Sequence, residues 1–136
     1  MSISAIDHIA IAVKQLDEAI AFFEEKLGLN VTHREEVPKQ GVKIASIDIG
    51  GVQIELIEPF DESSNLNKFL EKRGPGLHHI ALKVDDLPNT LDKLKANDVR
   101  LIDDKPREGA HGKKMGFIFP NKTIGTLLEL CERIDD

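Results

Sequence analysis

Two histidines and two glutamates occupy matched positions in the two halves of the sequence, and all four are of types that bind divalent metals. His8 lies in the segment IDHIAIAV, and His79 lies in the similar segment LHHIALKV. Glu55 in GVQIELIE is matched in the same way by Glu129 in GTLLELCE. Two imidazoles and two carboxylates suit Zn, Co, Ni, Mn or Fe(II) better than Ca or a structural Cys-rich zinc site. Four such ligands leave coordination positions open for water or a substrate oxygen, which is typical of a catalytic metal.

The alternation of side chains along a β-strand predicts that these four residues share the sheet face that carries no helices. Around His8, the apolar residues Ile9, Ile11 and Val13 form the opposite face, which can pack on a helix. A single His or Glu in a strand is more often a surface or hydrogen-bonded residue than a ligand. A carboxylate left alone among apolar residues is costly or becomes protonated, so the repeated placement favours a shared cation.

The elements that must position these residues form a β-α-β-β-β module that occurs twice. Apolar residues at helical spacing follow each histidine strand, from Leu16 to Leu27 before Gly28 and from Leu87 to Leu94 after a first-turn proline. A second strand is predicted within residues 29 to 37. Two further strands are predicted on either side of a tight turn at Gly50 and Gly51.

The repeat predicts a single α+β domain over residues 1–136. Its first module covers about residues 4–60, a connecting helix and linker cover about 61–75, and the second module covers about 76–134. The two matched segments differ in offset by three residues, which a loop insertion explains. We predict that the modules form a cupped mixed sheet with helices on its outer face.

Composition narrows the class of protein. The chain has 136 residues, of which 40% are hydrophobic, enough for one compact core. A net charge of -6 argues against non-specific binding to nucleic acid or an anionic membrane. The single cysteine, Cys131, suits a reducing compartment, and no apolar run approaches the roughly 20 residues that span a bilayer. We therefore expect a cytoplasmic protein without a membrane segment.

Taken together, these residues resemble the vicinal oxygen chelate superfamily, which includes glyoxalases, bleomycin resistance proteins and dioxygenases. Within it the chain is most similar to the methylmalonyl-CoA epimerase subgroup. The resemblance implies that His8, Glu55, His79 and Glu129 bind a divalent metal ion, and it implies a homodimer. The stretches that carry it are IDHIAIAV, VPKQGV, IELIEP, KFLEKRGPGLHHIALKVDD, RLIDDKPREGAHGKK and GTLLEL.

The implied reaction interconverts the (2R) and (2S) forms of methylmalonyl-CoA by removal of the α-proton through a metal-stabilised enolate. Glu129 is the first choice for one acid/base role, because a ligand glutamate at the edge of the shell can reach the substrate. Some members of the family place a second glutamate where this chain has Ile44. Gln40, Lys43 or a water molecule on the metal are the alternatives for the second proton transfer.

Substrate contacts are predicted in two segments. Gln40 and Lys43 follow VPK, and His111, Lys113 and Lys114 lie in the basic segment KPREGAHGKK. These lysines suit a carboxylate or the phosphates of coenzyme A, although a solvated hairpin loop explains them equally well.

The remaining polar residues are assigned no chemistry. His33 and His78 are interpreted as structural, and Gln53 and Glu58 as ordinary polar residues near a strand end. Cys131 is interpreted as a small buried thiol.

Two other functions fit parts of the pattern. A glyoxalase I-like lactoylglutathione lyase shares the fold and a His/Glu metal set, but the linker and GAHGKK favour the epimerase. A binding module that sequesters a small antibiotic needs no metal, and such a pocket would more readily use aromatic residues. This chain has no Trp or Tyr, so the binding module is disfavoured.

Overall fold

A computed structural model describes residues 3–132, which form eight strands and three α-helices. Each half has the predicted β-α-β-β-β order, so the α+β class is confirmed. The predicted end of the second module, at residue 134, lies outside the described residues. The elements in chain order are β1 (Ile3–Ala12), α1 (Leu16–Ala21), a π-helical segment (Phe22–Lys26), β2 (His33–Val37), a 3-10 turn (Pro38–Gln40), β3 (Val42–Ile49), β4 (Val52–Pro59), α2 (Leu66–Arg73), β5 (Gly76–Val84), α3 (Leu87–Ala96), β6 (Arg107–Glu108), a second 3-10 turn (Ala110–Gly112), β7 (Lys114–Ile118) and β8 (Leu127–Glu132).

Backbone contacts divide the chain into two compact units. The central unit consists of residues 9–78, and the terminal unit combines residues 1–8 with residues 79–136. The division therefore falls inside both histidine strands, directly after His8 in β1 and directly before His79 in β5. Both histidines consequently belong to the terminal unit.

In the central unit, β2, β3 and β4 form an antiparallel sheet, and α1 packs on β3 and β4. The helix begins where the Glu58 carboxylate accepts a hydrogen bond from the backbone N–H of Leu16 at 2.7 Å. After Ala21 it continues as a π-helical segment and ends before Gly28, whose φ is +70°. The buried side chains of this core are Leu16, Ile20, Ala45, Ile47 and Leu56.

In the terminal unit, the sheet is mixed, because β8 is parallel to β5 and antiparallel to β7. Helix α3 has Pro88 in its first turn, as the sequence predicts, and the structure adds Asp86 as its N-cap. Glu132 accepts a hydrogen bond from the backbone N–H of Leu87 at 2.6 Å. The buried core side chains here are Val84, Leu87, Leu91 and Leu130.

The strand register shows how the two modules correspond. Lys43 lies opposite Glu58 in the central unit, and Lys114 lies opposite Glu132 in the terminal unit. The offset of three residues arises between the last two strands of each module. The connection from β7 to β8 is a loop of residues 119–126, whereas β3 and β4 are joined by a tight turn. The predicted loop insertion is therefore confirmed. No helix within residues 3–132 has the length and apolar character needed to cross a bilayer.

Candidate metal centre

Three of the four predicted ligands meet in the terminal unit. The Nε2 atoms of His8 and His79 are 3.2 Å apart. Glu129 Oε1 lies 3.1 Å from His79 Nε2, and Glu129 Oε2 lies 3.7 Å from His8 Nε2. The relative exposures of the three residues are 3%, 6% and 6%, so the cluster is buried.

The strand register explains why these side chains converge. In the parallel pair of β5 and β8, Glu129 lies opposite Ala81, two residues beyond His79 on the same face of β5. The small Ala81 side chain leaves room for the carboxylate. On the other side of β8, Phe117 lies opposite Glu129, and its ring meets the His79 imidazole edge to face with centroids 5.2 Å apart.

The spacing of the donor atoms fits a single metal ion. Ligand atoms about 2.1 Å from a metal are about 3.0 Å apart in an octahedral shell and about 3.4 Å apart in a tetrahedral one. The separations of 3.2 Å and 3.1 Å within the cluster fall in this range, and the 3.7 Å between His8 Nε2 and Glu129 Oε2 lies slightly above it. Two imidazoles and a carboxylate also suit the first-row divalent metals that the sequence predicts. The side chains present therefore fit a divalent ion.

Glu129 is ionised in this setting. Burial on its own raises the pKa of the Glu129 carboxyl, but hydrogen bonds and charge interactions with the His79 and His8 rings, when these carry a proton on Nε2, outweigh it and lower the pKa to about 2. The group is therefore a carboxylate at neutral pH, the form that binds cations and accepts protons.

A second layer of polar contacts supports His8. Its Nδ1 lies 2.7 Å from Asp7 Oδ2, and the Lys113 ammonium group donates to the same oxygen. Burial raises the pKa of Asp7, but the hydrogen bonds from His8 and Lys113 hold it well below its usual range. The buried Cys131 is close by, and burial together with the Asp7 and Glu129 charges raises the pKa of its thiol. Cys131 therefore stays protonated at neutral pH, which fits the predicted buried thiol.

The fourth predicted ligand, Glu55, belongs to the central unit. It lies in β4 opposite Ser46, is 3% exposed, and points to the face opposite the core residue Leu56. Its role as a ligand stays a prediction from the resemblance.

The predicted substrate contacts are distributed over both units. In the central unit, Gln40 is half-buried in the 3-10 turn before β3, and Lys43 lies 3.8 Å from Glu58. In the terminal unit, His111 adopts a left-handed φ of +61° and is half-buried, and Lys114 lies 3.7 Å from Glu108.

Lys113 differs from the other predicted substrate contacts. Its side chain is 4% exposed and forms the ion pair with Asp7. Its ammonium group therefore already has a buried partner within the protein.

Sequence reasoning missed the supporting residues around the ligands. Asp7 carries a signal, since an acidic residue directly precedes His8. Glu58 and Glu132 also leave a signal in the sequence. Each lies three residues after a candidate ligand, in the repeated pattern ELIE and ELCE. By contrast, the contacts of His33 with Glu35, at 2.9 Å, and of His78 with the Phe69 ring, at 4.8 Å between centroids, fit their structural interpretation.

Comparison with known proteins identifies the class. The family model of the Glyoxalase/Bleomycin resistance protein/Dioxygenase superfamily matches residues 7–117, and the chain belongs to that superfamily. An uncharacterised protein of Bacillus subtilis (strain 168), YqjC, is 48% identical over 93% of this chain and 91% of its own.

Named relatives place the chain more closely. It is 37% identical to the ethylmalonyl-CoA/methylmalonyl-CoA epimerase of Cereibacter sphaeroides, over 94% of this chain and 97% of that protein. A solved methylmalonyl-CoA epimerase in complex with methylmalonyl-CoA and NH4+ is 34% identical, with a TM-score of 0.93 over 98% of this chain and 97% of that one. Within the superfamily, the chain thus belongs to the methylmalonyl-CoA epimerase family of isomerases.

Proposed function

We propose that this protein is a metal-dependent epimerase that interconverts (2R)- and (2S)-methylmalonyl-CoA. The observation that carries the proposal is the buried cluster of His8, His79 and Glu129, in a chain that matches a named epimerase of this substrate over 97% of that protein's length. In the proposal these three residues bind the metal, and Glu55 is the fourth ligand that the resemblance predicts.

The residues around the cluster suit removal of a proton next to a thioester. A divalent ion held by these donors supplies electrostatic stabilisation for the negative charge that develops as the α-proton leaves. Glu129 offers a carboxylate that can accept or return that proton. Ala81, Met115, Cys131 and Phe117 form an apolar cluster in the same unit, which lowers the local dielectric and strengthens each charge interaction.

The second proton transfer needs a group other than residue 44. Ile44 is 3% exposed and carries no proton to exchange, so Gln40, Lys43 or bound water stay the predicted alternatives. Gln40, Lys43, His111 and Lys114 are also the proposed contacts to the acyl-CoA, since phosphate and carboxylate groups bind cationic and amide donors.

Several broader predictions accompany this proposal. The metal is one of Co, Zn, Mn, Ni or Fe. The protein is a single-domain homodimer in the cytoplasm, which light scattering and fractionation would test. The predicted module boundaries likewise stay proposals.

One experiment tests the function directly. The metal-loaded protein is incubated with (2R)- or (2S)-methylmalonyl-CoA in D2O, and the α-proton signal is followed by NMR. We expect loss of that signal from either epimer, together with formation of the opposite epimer. The matched control is the His79→Ala variant, which should show only background exchange.

The rival functions predict different outcomes of the same assay. Absence of exchange above background, with turnover of the methylglyoxal-glutathione adduct instead, would establish the lyase. Neither activity and no bound metal would favour a binding module.

A further inference from the structure

We propose that Lys113 is a positioning residue for the metal centre. Acting through Asp7, it fixes the tautomer and orientation of the His8 ring so that Nε2 faces Glu129 and His79. The inference deepens the proposed function and rests on it only where metal binding is concerned. The state of the His8 ring itself can be measured without a metal.

The hydrogen bonds define which nitrogen of His8 carries the proton. A carboxylate oxygen can only accept, and an ammonium group can only donate. Asp7 Oδ2 accepts from Lys113 and lies 2.7 Å from His8 Nδ1, so Nδ1 must donate to it. In the neutral ring, Nε2 then presents its lone pair, and it is this atom that lies 3.2 Å from His79 Nε2.

The three residues form a buried chain of contacts. The side chains of His8, Asp7 and Lys113 are 4%, 1% and 4% exposed. Buried charges of this kind are costly unless they are paired. With the ammonium group in place, the carboxylate has a fixed partner and does not need to turn toward the cation site or take a proton.

The other module indicates that the fold does not require a lysine here. Since Lys43 and Lys114 lie opposite the equivalent glutamates Glu58 and Glu132, the residues just before them also correspond. These are Val42 and Lys113, and both are buried. An aliphatic side chain thus fills the position in one module. The lysine occupies the position in the second module, within the same terminal unit as the aspartate that precedes His8.

Metal affinity is the first test. Zinc dissociation constants would be measured by competition with a chelator for the wild type and for Lys113→Met, Asp7→Asn and the double variant. We expect each single variant to bind zinc about 10- to 100-fold more weakly, as for other partners of ligating histidines. The double variant should bind zinc no more weakly than whichever single variant binds it more weakly, because both changes interrupt the same chain of contacts.

Two controls separate positioning from general damage. Lys93→Met is the matched control, since it removes an exposed lysine in the same unit and should leave zinc affinity unchanged. Lys113→Arg retains the donor and should recover most of the lost affinity. Wild-type affinity in Lys113→Met, or additive losses in the double variant, would overturn the proposal.

The tautomer of His8 gives a second readout that structural damage alone does not predict. In protein with 15N-labelled histidine, NMR should show a hydrogen-bonded Nδ1–H on His8 in the wild type and its loss in a folded Lys113→Met variant. An unchanged Nδ1–H signal in that variant refutes the positioning role. If the wild type binds no zinc, the proposed metal function fails, and the metal-free ring signals still decide the role of Lys113.

Discussion

The two histidine strands each carry a candidate ligand at the same position but surround it differently. In β1, the residue before the histidine is Asp7, which is buried and hydrogen-bonded to His8. In β5, the equivalent residue is His78, whose ring meets Phe69, while the His79 ring itself meets Phe117. One ligand ring is thus held by charged groups and the other is packed against an aromatic edge. Both modules place a histidine Nε2 in the cluster, whereas the residues behind the two rings differ.

The loops that follow β2 and β6 also end on residues of different polarity. In the central unit the loop leads into the buried Val42, and in the terminal unit it leads into the buried Lys113. A valine is stabilised by burial alone, whereas a lysine requires a partner. Positions that carry the same residue type in both modules, such as the two histidines, serve the candidate site or the fold. Positions that differ between the modules, such as Val42 and Lys113, affect the surroundings of only one candidate ligand.

Removal of a ligand should have the largest effect. His79→Ala and His8→Ala should each abolish metal retention, with a loss greater than the roughly 100-fold expected for an outer partner. Elemental analysis after gel filtration measures the bound metal. His33→Ala, which changes a histidine of the central unit, should retain the full content. Stoichiometric metal in either ligand variant would contradict the assignment.

The residues that precede the two histidines should differ in effect. Asp7→Asn should weaken zinc binding by about 10- to 100-fold, because the amide is a poorer acceptor for the His8 ring and leaves Lys113 unpaired. His78→Asn at the equivalent position should change the affinity little. Isothermal titration or chelator competition measures both. Equal losses of zinc affinity in the two variants would show that Asp7 supports its histidine no more than His78 does.

The carboxylates that begin the two helices should contribute to stability unequally. Glu58→Ala should destabilise the protein by about 1–2 kcal/mol, and Glu132→Ala by about 0.5–1 kcal/mol. At α1 the N-cap residue Gln15 makes no side-chain hydrogen bond to the helix, so Glu58 is the carboxylate that satisfies its first turn. At α3 the Asp86 carboxylate also accepts a hydrogen bond from the backbone N–H of Asn89, so the helix keeps one cap when Glu132 is removed. Urea unfolding measures the difference, and Lys43→Met serves as the control for the loss of the ion pair to Glu58. A larger loss at Glu132 would reverse the expected order.

The exposed lysines should show the smallest effects. Lys114→Gln and Lys43→Gln should each raise the KM for methylmalonyl-CoA about two- to five-fold, the range expected for one exposed ion pair, and should leave kcat nearly unchanged. Steady-state kinetics at low and high salt measures this, since added salt screens the lost interaction. A fall in kcat at constant KM would point to a role in proton transfer.

Much of this architecture could be predicted from the sequence, because the alternation of side chains along a strand and the internal repeat of the module are both visible in the order of residues. The face of His8 and His79, the β-α-β-β-β order and the meeting of these residues with Glu129 follow from those two patterns. The Lys113 contact could not be predicted, since it joins residues 106 positions apart and a lysine in a glycine-containing loop resembles a solvated one. The helix-capping role of Glu58 and Glu132 depends on the length of the preceding loops, which periodicity does not specify.

The composition of the terminal unit has a consequence for synthesis on the ribosome. Asp7 and His8 are synthesised more than 100 residues before Lys113, which pairs with Asp7, and Glu129, which lies near His8. At about 5–20 residues per second, the N-terminal segment waits on the order of ten seconds for these partners. During that interval Asp7 and His8 are hydrated and without their native neighbours. The candidate metal centre therefore cannot form until the strand that carries Glu129 has been synthesised.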